Sequence, residues 1–253
     1  MEKVYFASDF HLGIQNSKER EKKIISWLDK AAVDADKIYL LGDLFDYWFE
    51  YKFHVPKGYV RFLGKLAEIQ DSGISIEIFT GNHDVWMFKY FPEEFGIPVH
   101  REVRLEELGA KKIMLGHGDG LGPGDMGYKR LKKVFTNPVL QFLYRQLHPD
   151  LSWRIANFWS HKSRSQELKP PPFLGKEKEW LIQYCEYKLQ SFSDIDFFVF
   201  GHRHLPIFYQ LSNERSYYIN IGDWLNHNTY GMFDGNFFYL YEYGRDEPLY
   251  RSH

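Results

Sequence analysis

Five short runs of β-branched and aromatic residues, each ending in a cluster of Asp, Asn, His and Gly, restrict this chain to a narrow set of folds. The runs are Val4-Tyr5-Phe6-Ala7, Ile38-Tyr39-Leu40-Leu41, Ile74 to Phe79, Ile113-Met114-Leu115 and Phe197 to Phe200. They are short, apolar and bounded by Gly or polar residues, as buried strands are. The clusters behind them are Asp9-Phe10-His11, Gly42-Asp43-Leu44, Gly81-Asn82-His83-Asp84, Gly116-His117-Gly118-Asp119 and Gly201-His202-Arg203-His204. In open α/β sheets, groups just beyond the carboxyl ends of strands gather at one crevice. Five polar clusters in that position predict a single site.

The residue types indicate its chemistry. Asp9 and Asp43 offer carboxylates, His11, His117, His202 and His204 offer imidazoles, and Asn82 offers an amide oxygen. That is more than one ion needs. A mixed oxygen and imidazole set suits Mn, Fe or Zn, whereas a structural zinc site calls for thiolates, and Cys185 is the only cysteine. Two divalent ions sharing one carboxylate would use the whole set and clamp an in-line displacement at phosphorus. Asp43 is the expected bridge. Singly, an Asp-x-His or a Gly-Asp after a strand is more often turn chemistry or a helix cap. Five in one order would require many independent coincidences.

In this pattern the chain resembles the calcineurin-like metallophosphoesterase superfamily. The family pattern is Asp-x-His, Gly-Asp, Gly-Asn-His-Asp, Gly-His and Gly-His-x-His, and all five stand in that order from Asp9 to His204. The resemblance implies one metal on Asp9, His11, Asp43 and His204, and a second on Asp43, Asn82, His117 and His202. It implies water as the nucleophile. It also places His83 near the scissile phosphate, oriented by Asp84, as an acid or transition-state stabiliser.

With 253 residues, 44% hydrophobic and 26% charged, the chain is long enough for one large core carrying an inserted subdomain. A single cysteine excludes an intrachain disulfide framework and points to an intracellular protein. The N-terminus enters its first strand without a secretory leader, and no apolar stretch reaches bilayer-spanning length. The chain is therefore expected to be cytoplasmic. A net charge of −2 says little, and Pro170-Pro171-Pro172 is expected to stiffen one loop.

Charge distribution says more. Residues 129 to 164 hold eight Lys or Arg, among them Lys129, Arg130, Lys132 and Lys133, against the single Asp150. The same segment carries Val134, Phe135, Leu140, Phe142, Leu143, Trp153, Phe158 and Trp159 in a helix-like pattern broken at Pro138 and Pro149. Tyr128, Leu131 and Phe135 share one stripe. A basic, amphipathic helical insertion thus separates the fourth and fifth clusters. The default for such a segment is a helix pair with a solvated face. Beside a phosphoesterase site, an apolar groove rimmed by cations could instead hold an anionic lipid and meet an acidic membrane surface.

Here the chain is similar to one branch of the superfamily, the UDP-2,3-diacylglucosamine pyrophosphatases of lipid A biosynthesis. The matching segments are Gly124-Asp125-Met126-Gly127-Tyr128, Asn137-Pro138-Val139-Leu140-Gln141, Lys162-Ser163-Arg164 and Gly222-Asp223-Trp224. The resemblance implies hydrolysis of the substrate's pyrophosphate to UMP and 2,3-diacylglucosamine 1-phosphate, with two manganese ions and peripheral contact with the inner face of the cytoplasmic membrane. It implies substrate contacts from Asn82, His83, Asp125, Tyr128, Ser163 and His202. Two departures stand out. Where the branch has an Asn and a Lys after the Ser, this chain has Glu167 and Pro170, and where better-studied members carry Arg it keeps His83. An Arg is a permanent cation, while a His can also deliver a proton. Another nucleotide or lipid pyrophosphate is the alternative substrate. A metal-free scaffold is disfavoured, because every ligand position is filled.

The fold implied is an αββα sandwich of two mixed sheets flanked by helices, one domain over residues 1–253 with a helical cap at about 126–189. Residues 19–32 and 59–71 are expected to be covering helices. Tyr217 to Ile221 and Phe237 to Tyr241, around a turn at Asp234-Gly235-Asn236, are expected to complete the second sheet.

Overall fold

Side-chain alternation along the strands creates two apolar faces per sheet, and the architecture is set by what covers them. In a computed structural model of the chain, the described residues are 3–14, 16–124, 126–167, 172, 173 and 175–253, and the described side chains exclude those of 159–167. The elements run β1 (Val4–Ala7), α1 (Ser17–Ala31), β2 (Lys37–Leu41), α2 (Val60–Asp71), β3 (Ser75–Phe79), α3 (Tyr90–Phe95), β4 (Val99–His100), β5 (Arg104–Leu108) and β6 (Lys111–Gly116). Then follow α4 (Met126–Phe135), α5 (Pro138–Arg145), α6 (Pro149–Glu167), α7 (Trp180–Leu189), β7 (Phe197–Phe200), β8 (Pro206–Gln210), β9 (Tyr217–Ile221), β10 (Thr229–Phe233), β11 (Phe238–Glu242) and β12 (Tyr250–Arg251).

One sheet has the order β12-β11-β10-β1-β2-β3-β4 and the other β5-β6-β7-β9-β8. Both are mixed. β1 to β4 pair in parallel and β10 joins β1 antiparallel, while β6, β7 and β9 pair in parallel between antiparallel edges. Val4, Phe6, Tyr39, Leu41 and Phe79 of the first sheet meet Ile113, Leu115, Phe197, Val199 and Ile219 of the second in a core between the sheets. The alternate residues Ile38, Leu40, Ile76 and Ile78 face outward onto Trp27 and Leu28 of α1 and Phe62 and Leu66 of α2. Ile24, Trp27, Leu28 and Ala31 recur at the spacing of one helical stripe. On the far side, Met114, Phe198 and Phe200 pack on Leu181, Ile182 and Cys185 of α7. The two mixed sheets flanked by helices are those expected.

The structure revises two details. β9 does join the second sheet, but Phe238–Glu242 does not. With β10 and β12 it extends the first sheet beyond β1. The insertion also divides: α4 and α5 bury no side chain, whereas α7 buries Leu181, Ile182 and Cys185 against the second sheet and is itself a layer of the sandwich. The break at Pro138 is a new helix start, where Asn137 accepts from the backbone N–H groups of Val139 and Leu140.

Candidate active site

The expected clusters leave the carboxyl ends of β1, β2, β3, β6 and β7, so the parallel core of both sheets delivers them to one crevice. Loop backbones are tied to each other there. Asp9 N–H donates to Gly42 O (3.0 Å), His11 N–H to Asp43 O (2.9 Å) and Gly201 N–H to His117 O (2.9 Å). Asp9, His11, Asp43, His202 and His204 all adopt positive φ, between 43° and 67°. For residues other than Gly this is a strained conformation, which the surrounding packing must hold.

Asp9, His11, Asp43 and His204, all buried, bring one ligand atom each within 4.8 Å of one another. His11 Nε2 lies 3.3 Å from His204 Nε2 and 3.7 Å from Asp43 Oδ2. Beside them, Asn82 Oδ1 lies 3.0 Å from His202 Nδ1 and 3.2 Å from His117 Nε2, which in turn is 3.3 Å from Asp43 Oδ2. Asp43 thus stands between the two groups. His117 Nδ1 donates to Leu41 O at 2.8 Å, which aims its Nε2 inward. Asp9 Oδ1 and His11 Nδ1 are buried without a well-formed hydrogen bond among the described residues, although His204 Nε2 approaches Asp9 Oδ1 to 3.1 Å.

Electrostatics favours cations. Burial works against the charge of Asp9 and Asp43, yet the surrounding imidazoles hold both carboxyls well below the usual range. Burial also opposes charge on His117 and His204, but Asp43 raises the first and Asp9 and Asp223 the second, each to about 10. Burial, reinforced by His117, pushes His202 down to about 4. Anionic carboxylates facing crowded imidazole nitrogens, with a buried carboxylate oxygen left over, fit the mixed oxygen and nitrogen shell of divalent ions.

His83 sits at the rim. Its ring centroid is 4.9 Å from that of His11, and its N–H donates to Asp43 Oδ1 at 2.9 Å. The orienting contact expected from Asp84 comes instead from Asp46, whose backbone oxygen is 3.1 Å and whose Oδ1 is 3.6 Å from His83 Nδ1. Asp84 accepts from the backbone N–H groups of Gly81 (2.7 Å), Leu44 (2.8 Å) and Phe45 (3.4 Å), so it shapes the loops. Burial, then Asp43, raises its carboxyl to about 6. Asp46, three residues beyond Asp43, was not anticipated. Asp223, of the Gly222-Asp223-Trp224 segment, joins the crevice with its Oδ2 3.4 Å from His204 Nδ1.

A cavity of about 560 Å³ opens from this rim into the cap. Asp46, Asn82 and His83 line one end; Leu131, Phe135, Leu147 and Trp153 line the other. Tyr128 also lines it, and its hydroxyl donates to Asp119 Oδ2 at 2.6 Å. Lys132 Nζ binds the same oxygen at 2.6 Å, so this cation is turned inward. Asp125 and the side chain of Ser163 lie outside the described residues. No helix among the described residues is long and apolar enough to cross a membrane.

The family model for calcineurin-like phosphoesterases matches residues 2–206. The chain is 37% identical over 248 residues to the UDP-2,3-diacylglucosamine hydrolase of Porphyromonas gingivalis, covering 92% of this chain and 94% of that one. It is 27% identical over 223 residues to the protein of the same name from Yersinia pseudotuberculosis, covering 87% and 90%. Among solved structures, Yfce, a phosphoesterase from E. coli, superposes with a TM-score of 0.52 at 17% identity, covering 99% of this chain and 98% of that one, a likeness of fold.

Proposed function

Because the chain belongs to the calcineurin-like phosphoesterase family, we propose that its crevice hydrolyses the pyrophosphate of UDP-2,3-diacylglucosamine. The observation that carries the proposal is the cavity of about 560 Å³, which runs from Asn82 and His83 into the apolar cap and gives an acylated substrate a place for its chains. The name of the Porphyromonas gingivalis relative supports the same substrate. Water adds to the α-phosphorus, the bond from that phosphorus to the bridging oxygen breaks, and UMP and 2,3-diacylglucosamine 1-phosphate result.

One ion would be held by Asp9, His11, Asp43 and His204, and a second by Asp43, Asn82, His117 and His202, with manganese the expected metal. Bound there, divalent cations supply Lewis acidity to the phosphoryl oxygens and balance charge in the transition state. Asn82 and His202 face the phosphate as well. His83 Nδ1–H, donated to Asp46 O, fixes the ring at the rim, placed to stabilise the departing oxygen. Tyr128, on the cavity wall, contacts the glucosamine end, together with Asp125 and Ser163.

Peripheral attachment to an anionic membrane, on the cytoplasmic face, is supported by the cap surface. Phe142 is 61% and Phe158 76% exposed, among the exposed cations Arg130, Lys133, Arg145 and Arg154. The test is UMP release with manganese from UDP-2,3-diacylglucosamine, beside UDP-N-acetylglucosamine and an aryl phosphodiester. Selective turnover of the acylated nucleotide is expected. Turnover of the small esters alone would leave a phosphoesterase and remove the lipid substrate.

A further inference from the structure

Asn82 and His83 are linked to the cap by the side chain three residues beyond His83. Trp86 Nε1–H donates to the Phe135 carbonyl at 2.9 Å. Phe135 is the last residue of α4, and its carbonyl has no partner within the helix. Gln141 of α5 donates to the same oxygen at 2.7 Å, so Trp86 and α5 close the end of α4 jointly. The indole ring stacks on Tyr144 of α5 (5.3 Å between centroids, 27°) and meets Phe135 edge-on at 5.1 Å. Below, it packs edge-on against Phe49 at 5.4 Å, where the two backbones also form an isolated bridge. Trp86 lines the same cavity as Asn82, His83 and Tyr144.

The short segment 82–86 is therefore fixed at both ends. At the crevice, His83 N–H is held by Asp43, and Asp84 grips Gly81 and Leu44. At the cap, Trp86 carries aromatic contacts to two helices and one hydrogen bond. Apolar ligand atoms entering the cavity displace no polar partner of the indole, because its N–H is already satisfied. They gain a rigid aromatic surface whose position is tied to that of the phosphate-facing residues.

We infer that Trp86 determines specificity for an acylated substrate, by holding the cap helices α4 and α5 at a fixed distance from the Asn82-His83 loop and forming the wall against which the acyl chains lie. This rests on the acyl-nucleotide reading of the same crevice. It assigns selectivity to a residue of the Asn82-His83 loop, where the cap helices alone would otherwise be expected to provide it. A rigid aromatic in the wall of a largely apolar cavity is also the kind of residue on which binding energy concentrates.

The test compares kcat and KM for UDP-2,3-diacylglucosamine and bis-p-nitrophenyl phosphate in the manganese-loaded full chain, for wild type, Trp86→Ala and Trp86→Phe. Trp86→Ala should shrink the preference for the acylated substrate by about tenfold or more, carried by KM. Trp86→Phe keeps an aromatic ring beside Tyr144 while losing the hydrogen bond and part of the indole's area, so it should recover most of that preference. If Trp86→Ala does not fold, a shift of about threefold in the same direction in Trp86→Phe supports the inference. A parallel loss on both substrates, with the preference preserved, would make Trp86 merely structural and overturn it, as would an unchanged preference in both variants. A wild type without preference for the acylated substrate would remove the functional reading itself, before any variant is compared.

Discussion

Gly81→Ala should empty the crevice of metal while leaving the fold standing. Gly81 lies against Asp43, the carboxylate proposed to serve both ions. A Cβ there would fall 2.6 Å from Asp43 N and 2.7 Å from Asp43 Cγ. Nonbonded carbons settle at roughly 3.5–4.0 Å, so Asp43 must retreat by roughly 1 Å. It has little freedom to do so, because it is fully buried, at φ 52°, and hydrogen bonded to His83 N–H. Overpacking of this kind costs about 1–3 kcal/mol, a modest fall in melting temperature for a chain of this length. Ligand geometry, by contrast, must hold to about 0.5 Å, so the displacement should abolish binding at both positions. Manganese per chain, measured by inductively coupled plasma mass spectrometry after equilibrium dialysis, should fall from about two to well below one. Gly64→Ala is the control. Nothing lies within 4 Å of a Cβ there, in the middle of α2, so it should gain about 0.5–1 kcal/mol and keep its metal. Full metal content and wild-type turnover in Gly81→Ala would refute Asp43 as the shared ligand.

Three further perturbations address other parts of the molecule. His83→Ala should keep its metal but slow turnover by on the order of 10² to 10⁴-fold, and unchanged kcat would remove His83 from the chemistry. Glu77 is held down to about 2, first by the His100 hydrogen bond (2.6 Å) and then by Lys37 (2.8 Å). A lowered carboxyl stabilises the folded state above its ordinary value of 4.5 and loses that contribution as pH falls from there toward 2. Glu77→Gln should therefore lose about 1 kcal/mol at neutral pH, allowing for screening, and flatten the acid limb of a urea-melt profile, whereas a profile parallel to wild type would contradict the linkage. Arg130→Glu with Lys133→Glu should weaken sedimentation with phosphatidylglycerol vesicles by about 2 kcal/mol or more while hydrolysis of a soluble diester persists. Unchanged sedimentation would leave the cap's charges without a membrane role.

Much of the site was legible because its donors are local to strand ends. Val4 to Ala7 predicts where Asp9 and His11 emerge, and the glycines at 42, 81 and 201 mark where loops must approach closely. Contacts made across the sheets were not. Nothing near His83 in sequence indicates that Asp46 would flank its ring, though an acid three residues beyond Asp43 was a visible signal. β5, Arg-Leu-Glu-Glu-Leu, escaped because an exposed edge strand needs little apolar alternation. The sheet joined by β11 is not legible in its sequence, because both sheets present the same alternating pattern and only pairing with β10 decides between them. The cap's helical character was readable from Tyr128, Leu131 and Phe135. Its attachment was not, since Trp86 and Phe135 are 49 residues apart.

The left-handed backbone at Asp9, His11, Asp43, His202 and His204 has a consequence for what replacing any of these residues would do. Each of these residues holds a conformation that Gly would adopt without strain, at a cost of about 1 kcal/mol or more per position. Exchanging any one for Gly deletes a donor and relaxes the turn that carried it. That relief is opposed by what the side chains hold: Asp43 accepts from His83 N–H and Asp9 from His202 N–H, so either exchange also strands a buried donor. The strain in these turns is thus balanced by the bonds that tie one loop to the next, and removing a side chain from one turn loosens its neighbour as well.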